Sequence, residues 1–521
     1  MDVTATTAAP LETAADTVAL GVFEGKRIPH DLDGAPLQAL LDAGEARTRF
    51  EHLAHTHAEG KRWILVGLGA RDDFTPERAR IAAARAHERA RELATTTLCW
   101  ELPHRLEDVE VAAFVEGTLL AARRFDRYRD RSDGRERMSA HPSGAHPRSA
   151  GTEGETGTEG ETGTEGETGT ATGEEAAELR EVEALIVSDH ADRSAAVARA
   201  ALVAAAQNRA RDLQDRAPND LTPTALAERA RELTALGVEV EVEGRAKILA
   251  RRMGAFGAVF QGSAEEPALI TLRWRGPDAT GPVLGFVGKG VTHDTGGYAL
   301  KTKASIAGMK FDMSGAAAVL EAVAAVAELR LPVELIAVIG ATDNSIDAYA
   351  VHPGDVVHAA NGLSIEVNNP DAEGRLVLAD CLLHAREQGA ERLVDLATLT
   401  GGAITALGTV HCALFSNDEP WAAALAAASA ASGELLWRMP LHPDYASQVK
   451  GTYADLDNSP GGGQAQPVLA AEFLHRFAGE TPWAHVDLTA SANLGKAYAK
   501  DGGAGWGVRL LVALAAAHGS A

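Results

Sequence analysis

Seven side chains capable of charge chemistry fall in two short stretches of the 521-residue chain. The first carries Lys289, Asp294, Lys301 and Asp312; the second, Asn368 to Leu376, carries Asp371, Glu373 and Arg375. Hard divalent cations prefer oxygen ligands, and two of them held about 3.5–4 Å apart need carboxylates that can bridge. Asp294, Asp312, Asp371 and Glu373 supply such a set. If Asp371-Ala372-Glu373 is extended, both carboxylates fall on one side, because side chains alternate with period two. Two ions sharing a water lower its pKa and clamp a tetrahedral intermediate, so the expected chemistry is metal-assisted hydrolysis.

The basic residues divide the remaining work. Lys289 lies between Gly288 and Gly290, which reads as a tightly folded loop aiming the amine inward. A lysine can ligate only when neutral, a state that a metal enforces by competing with the proton. A phosphate-binding loop would need Ser or Thr where Gly290 stands. Lys301 is expected to stay cationic and stabilise a developing oxyanion. Arg375 offers a planar, permanently charged fork beside Glu373, suited to a carboxylate or carbonate-like anion. Any one of these residues alone would read as surface charge; the whole set in two stretches does not.

The two stretches resemble the leucyl aminopeptidase (cytosol aminopeptidase) family. Its signature appears as Asn369-Pro370-Asp371-Ala372-Glu373-Gly374-Arg375-Leu376, and its first motif as Val287 to Gly297 with Lys301, followed by Met309 to Ala317. The resemblance implies two divalent ions per subunit: zinc, manganese or magnesium. One would be held by Lys289, Asp294, Asp312 and Glu373; the other by Asp294, Asp371 through side chain and backbone carbonyl, and Glu373. It implies that Lys301 and Arg375 are catalytic, with bicarbonate at Arg375 as general base. Substrate-binding positions carried by the resemblance are Met309, Asn369, Thr398, Leu399 and Gly401. Peptide or dipeptide substrates and a homohexamer follow from the same likeness, while the three cysteines, far apart and without paired spacing, fit a reducing cytoplasm. A scaffold that kept the fold and lost the chemistry would be expected to lack ligands, and none is missing.

Three places depart from the family pattern: His293 stands where an apolar residue is usual, Pro370 replaces the signature threonine, and Asp343 to Asp347 replaces a Pro-Ser-Gly-containing loop. Pro370 removes a backbone donor and stiffens the approach to Asp371. His293 is expected to line the pocket rather than to ligate, since adjacent side chains of an extended segment diverge. Substrate preference and rate should feel these changes more than metal binding does.

Positioning this set calls for an α/β frame. Val283 to Val287 reads as a strand, Ser314 to Leu329 as a helix, Val333 to Ile339 as a strand, Asn361-Gly362 as a hairpin turn before a strand at Leu363 to Val367, and Leu376 to Gln388 as a helix. Such alternation predicts a mixed central sheet flanked by helices, with ligands beyond the carboxyl ends of its strands. A smaller amino-terminal α/β domain, residues 1–190, is expected to join it through a linker helix at 191–213, leaving 214–521 as the catalytic domain. In the first domain Arg62 to Gly69 reads as a buried strand, and Thr75-Pro76 opens a helix. The glycines there lack the third member of a dinucleotide fingerprint, which leaves an ordinary βα turn. His52, His55 and His57 read as solvated residues on a helical or loop surface.

Three tandem copies of Gly-Thr-Glu-Gly-Glu-Thr begin at Gly151, Gly157 and Gly163. Lacking aromatic and aliphatic residues, the stretch from about 130 to 178 is expected to be a disordered acidic insertion before the last strand of the first domain. The formal charge of −24 opposes non-specific attraction to nucleic acid or an anionic membrane. Cys99, Cys381 and Cys412 show no paired spacing and indicate neither a disulfide framework nor a zinc-thiolate site. No secretory signal or membrane span is evident at the sequence level.

Overall fold

The computed structural model describes residues 1–28, 31–129, 181–489, 492 and 495–519. The acidic repeats lie outside them. Six strands, β1 (Asp2–Thr6), β2 (Thr17–Phe23), β3 (Leu53–Ala58), β4 (Lys61–Gly69), β5 (Thr97–Glu101) and β6 (Ala184–Ser188), form one sheet in the order β1-β6-β5-β2-β4-β3. Every neighbouring pair is parallel except β3 with β4. Thr75 caps helix Pro76–Glu92 by accepting the Arg78 N–H, with Pro76 in the first turn where its missing donor does no harm. His55 and His57 lie on the antiparallel edge strand β3 and not on a helix or loop; their exposure with alternating half-buried neighbours is the period-two signature of a half-solvated strand.

Helix Ser194–Asp215 leads into the second, larger unit. Its strands are β7 (Glu239–Glu243), β8 (Ala268–Arg275), β9 (Leu284–Asp294), β10 (Glu334–Asn344), β11 (Asp355–His358), β12 (Ser364–Val367), β13 (Arg392–Ala397), β14 (Cys412–Ser416), β15 (Leu436–Arg438), β16 (Leu456–Asp457) and β17 (Trp483–Asp487). Eight form a mixed sheet ordered β15-β14-β17-β13-β9-β10-β8-β7, whose centre, β17 to β10, is parallel. Separate apolar cores cover its two faces. One includes Ala316, Val319 and Val323 of helix Ser314–Glu328; the other includes Leu376, Val377 and Leu382 of helix Glu373–Glu387. The small sheet β11-β12-β16 adds the hairpin turned at Gly362, which adopts φ 89°.

Strand β9 is longer than the sequence suggests. It continues through Gly288-Lys289-Gly290 to Asp294, so Lys289 and Asp294 sit on a strand and not on a loop after it. The glycines serve packing between neighbours, not a tight fold of the chain. A Cβ on Gly288 would lie 2.8 Å from Ala316 Cα, and one on Gly290 would lie 2.8 Å from the Gly340 carbonyl oxygen. Both distances are below any contact a real Cβ tolerates, so helix and neighbouring strand can approach this closely only past glycine.

Candidate active site

Pairing between β13 and β9 ends at Leu396 opposite Gly288, and beyond that point β9 continues beside β10 alone. The gap left by β13 is where the charged residues gather. Lys289 alternates with Gly288 and therefore faces helix Glu373–Glu387, where Gly374 leaves room for it: a Cβ there would sit 2.7 Å from Lys289 Nζ. Glycine inside a helix costs about 1 kcal/mol relative to alanine, and here the lysine explains it.

Asp371 and Glu373 do not share an extended segment. Pro370 and Asp371 form a turn, Ala372 is the cap (φ −101°, ψ 43°), and Glu373 opens the helix, which thus begins three residues before Leu376. The carboxylates converge regardless, because the turn reverses the chain: ligand oxygens of Asp294, Asp371 and Glu373 all lie within 4.8 Å of one another. No histidine belongs to that group among the described residues; His293 is half-buried. Asp312 follows a short 3-10 turn, Ala307–Phe311, and joins through Lys289, whose Nζ is 2.8 Å from Asp312 Oδ1, 2.6 Å from Glu373 Oε1 and 2.8 Å from the Thr398 carbonyl oxygen. Lys301 Nζ lies 2.7 Å from Asp294 Oδ2 and 2.5 Å from Asp371 Oδ1. Each lysine thus bridges two of the acids.

Burial, reinforced by repulsion from Asp294, pushes the Glu373 carboxyl up to about 8 against the opposing pull of Lys289. Burial also lifts Asp312 to about 6 and raises Asp371. For both lysines burial works against the charge, but the surrounding carboxylates override it and raise the pKa. Four acids crowded in low dielectric favour additional positive charge. The donor set is hard oxygen, and Asp312 Oδ2 is buried with no hydrogen-bond partner, so these residues fit divalent cations.

The other expected site residues surround this cluster. Thr398 Oγ1 donates to Asp312 Oδ1 at 2.8 Å, which ties it to the acidic cluster. The Leu399 N–H and Thr400 hydroxyl donate to Asp487, at 3.3 and 2.6 Å, fixing the loop before exposed Gly401. Half-buried Met309 lies in the 3-10 turn, and its carbonyl accepts the Asp312 N–H at 3.2 Å. Asn369 Oδ1 accepts the Asp371 N–H at 2.9 Å, so its side chain shapes the turn. Arg375 is 4% exposed and donates from Nη1 to the Asn458 carbonyl at 2.6 Å, leaving Nε buried without a partner. Burial lowers its pKa to about 10 despite Glu373 and Asp487 nearby.

Two asparagines complete the site without having been singled out from sequence. Asn344 Nδ2 donates to Asp294 Oδ1 at 2.8 Å and to the Pro370 carbonyl at 3.1 Å, orienting the carboxylate from the same side as the Gly296 N–H. It lies in the stretch already noted as departing from the family, which was its only signal. Asn458 binds Asn369 through both its side-chain oxygen and nitrogen, from 89 residues away, and nothing local announces it.

Residues 208–512 match the catalytic domain of the cytosol aminopeptidase family, and residues 19–132 match that family's N-terminal domain. The chain belongs to the cytosol aminopeptidase family. A probable cytosol aminopeptidase of Roseiflexus castenholzii (strain DSM 13941 / HLO8) is 37% identical over 524 residues, covering 98% of each chain. One from Solibacter usitatus (strain Ellin6076) is 44% identical over 335 residues, 64% of this chain and 70% of its own. Among solved structures, the bottromycin maturation enzyme BotP in complex with Mn matches with a TM-score of 0.81 at 30% identity, covering 97% of this chain and 100% of BotP. Cytosol aminopeptidase membership supports a metalloaminopeptidase hydrolase and accords with the acidic cluster. No described helix is long and apolar enough to cross a membrane.

Proposed function

We propose that this protein is a two-metal aminopeptidase that removes the amino-terminal residue from peptides or dipeptides. The observation that carries this reading is the convergence of Asp294, Asp371 and Glu373 within 4.8 Å, with Lys289 linking Asp312 to the same group. One divalent ion would be held by Lys289, Asp294, Asp312 and Glu373, and a second by Asp294, Asp371 and Glu373. When bound, such ions supply Lewis-acid polarisation of a carbonyl and acidify water. Zinc, manganese and magnesium all suit a set of hard donors with one amine.

Within this reading, Lys301 holds positive charge at the more open side of the cluster, where its side chain is 15% exposed, and stabilises the oxyanion that develops on the scissile carbonyl. Arg375, permanently charged and with Nε uncommitted, would seat bicarbonate. Asn344 and Thr398 hold Asp294 and Asp312 in place. Met309, Asn369, Leu399 and Gly401 border the substrate. A homohexamer is proposed from family membership, and Val410, Trp437 and Tyr453 support it, exposed at 57%, 57% and 90% on the catalytic unit. A cytoplasmic location is proposed on the same grounds.

The decisive experiment is release of amino acid from a panel of aminoacyl-amide chromogens, including leucyl. Hydrolysis should vanish on chelation and return with zinc or manganese. No turnover across the panel by metal-loaded protein would overturn the proposal and favour a catalytically weak scaffold. Kinetics against substrates of increasing length separate a general aminopeptidase from a dipeptidase, and light scattering tests the hexamer.

A further inference from the structure

Between the two units lies a cavity of about 700 Å³, bordered by helix Pro76–Glu92, the segment after helix Asp108–Ala122, helix Ser194–Asp215 and the loop around Lys500. It is distinct from the carboxylate cluster, and its chemistry is opposite. Its lining holds seven permanent cations against four carboxylates, in a chain whose overall charge is −24.

Several of these donors are buried with unmet hydrogen-bonding capacity. His87 is 1% exposed, and among the described residues neither ring nitrogen has a partner. Arg91 Nε and Arg123 Nη2 are likewise buried and unpartnered among the described residues. The other two nitrogens of Arg123 are taken by Asp212 at 2.8 Å and Asp215 at 2.6 Å, so the guanidinium is clamped with one donor left over. Three of the four acids are already committed: Glu88 to Lys500 at 2.5 Å, Asp215 to Arg123 at 2.6 Å and Asp126 to Arg129 at 3.9 Å.

The charges also act against one another. Burial and the neighbouring Arg124 push the His87 pKa down to about 4, and burial with Arg123 lowers that of Arg211 to about 10. Each unmet buried donor is destabilising, and clustered cations with free donors form a preorganised receptor for an anion.

We propose that this interdomain cavity binds a small phosphate-bearing molecule. Guanidinium forks suit carboxylate and phosphate alike, but the donors here come from separate elements, and a tetrahedral dianion offers acceptors in more directions than a planar carboxylate. The volume falls within the range of small-molecule pockets and exceeds the needs of a lone phosphate, leaving room for a diphosphate or nucleotide. Bound there, the ligand would tie helix Pro76–Glu92 of the amino-terminal unit to helix Ser194–Asp215, which leads into the larger one.

Titration calorimetry on the full chain at two salt concentrations, with inorganic phosphate, pyrophosphate, ADP and sulfate as probes, tests the proposal. A phosphate compound should bind saturably, weaken with salt and lose about tenfold or more in affinity in Arg91→Gln, with aminopeptidase turnover unchanged in the absence of the anion. His87→Leu, which keeps apolar volume and deletes both ring nitrogens, should weaken binding as well and serves as the second variant. ADP tighter than pyrophosphate assigns a nucleotide; pyrophosphate equal or tighter assigns the phosphate group alone. No saturable binding, sulfate as tight as every phosphate probe, or affinity unaltered in Arg91→Gln would overturn it.

Discussion

Two clusters of buried charge can be set side by side. At the junction of the units, Arg80 Nε meets Glu116 at 2.6 Å and Arg80 Nη1 meets Glu77 at 3.2 Å, while Lys496 reaches Glu77 at 2.6 Å. With buried Arg509 facing Glu434 at 3.8 Å beside them, three cations answer three acids. Burial alone would raise the Glu77 pKa, but Arg509, Lys496 and Arg80 hold it below the ordinary carboxylate value. At the end of β9 three cations face four acids, and Glu373 rises to about 8. Both clusters are largely buried and hydrogen-bonded, so burial of charge does not separate a strut from a candidate reaction site. What separates them is whether the charges cancel.

Replacing members of each cluster should produce different failures. The largest effect is expected from Glu373→Gln, which removes one of the two acids, with Asp294, common to both proposed metal positions: hydrolysis should fall to background, and metal analysis should find a depleted protein. Lys301→Ala should lower kcat by about 10²–10³-fold while KM changes little, because the oxyanion exists only in the transition state; normal turnover would remove Lys301 from the chemistry. Asn344→Ala, which removes one of the two hydrogen bonds to Asp294 Oδ1 and leaves only that from the Gly296 N–H, should weaken metal binding by about 10–100-fold, as read by metal titration.

In the balanced cluster, Glu116→Gln should leave kcat/KM unaltered and destabilise the fold by about 3 kcal/mol, measured by denaturant unfolding, because a buried guanidinium loses the nearer of its two counter-charges. The smallest effect isolates an acid with no ion-pair partner among the described residues. Burial lifts Glu101 to about 7. Since an unfolded carboxyl titrates near 4.3, the folded chain binds more protons between these values, and stability falls as pH rises through that window. Glu101→Gln should therefore raise Tm at pH 8 and leave it nearly unchanged at pH 4.

The chemistry of the site was more legible in the sequence than its geometry. Asp294, Asp312, Asp371 and Glu373 announce themselves by residue type and by a family-like motif, and Asp294, Asp371 and Glu373 do converge. The path of the chain between them was misread at two points. Gly288 and Gly290 look like loop formers, yet in β9 they admit Ala316 and Gly340, neighbours that no local pattern reveals. Asp371-Ala372-Glu373 satisfies a period-two reading, but Asn369 and Asn458 together pin a turn there, and Asn458 arrives from 89 residues away. The cavity between the units was invisible for the same reason: its basic lining is gathered from five separate stretches of chain.

Lys289 and Lys301 each span a pair of acids. The amine of Lys289 thereby laces strand β9 to the segment ending at Asp312 and to the helix opened by Glu373, and that of Lys301 laces the turn at Asp371 to the end of β9. Segments far apart in sequence are seamed together by the same groups that supply the charge, so loss of either amine should loosen the joint as well as change the chemistry.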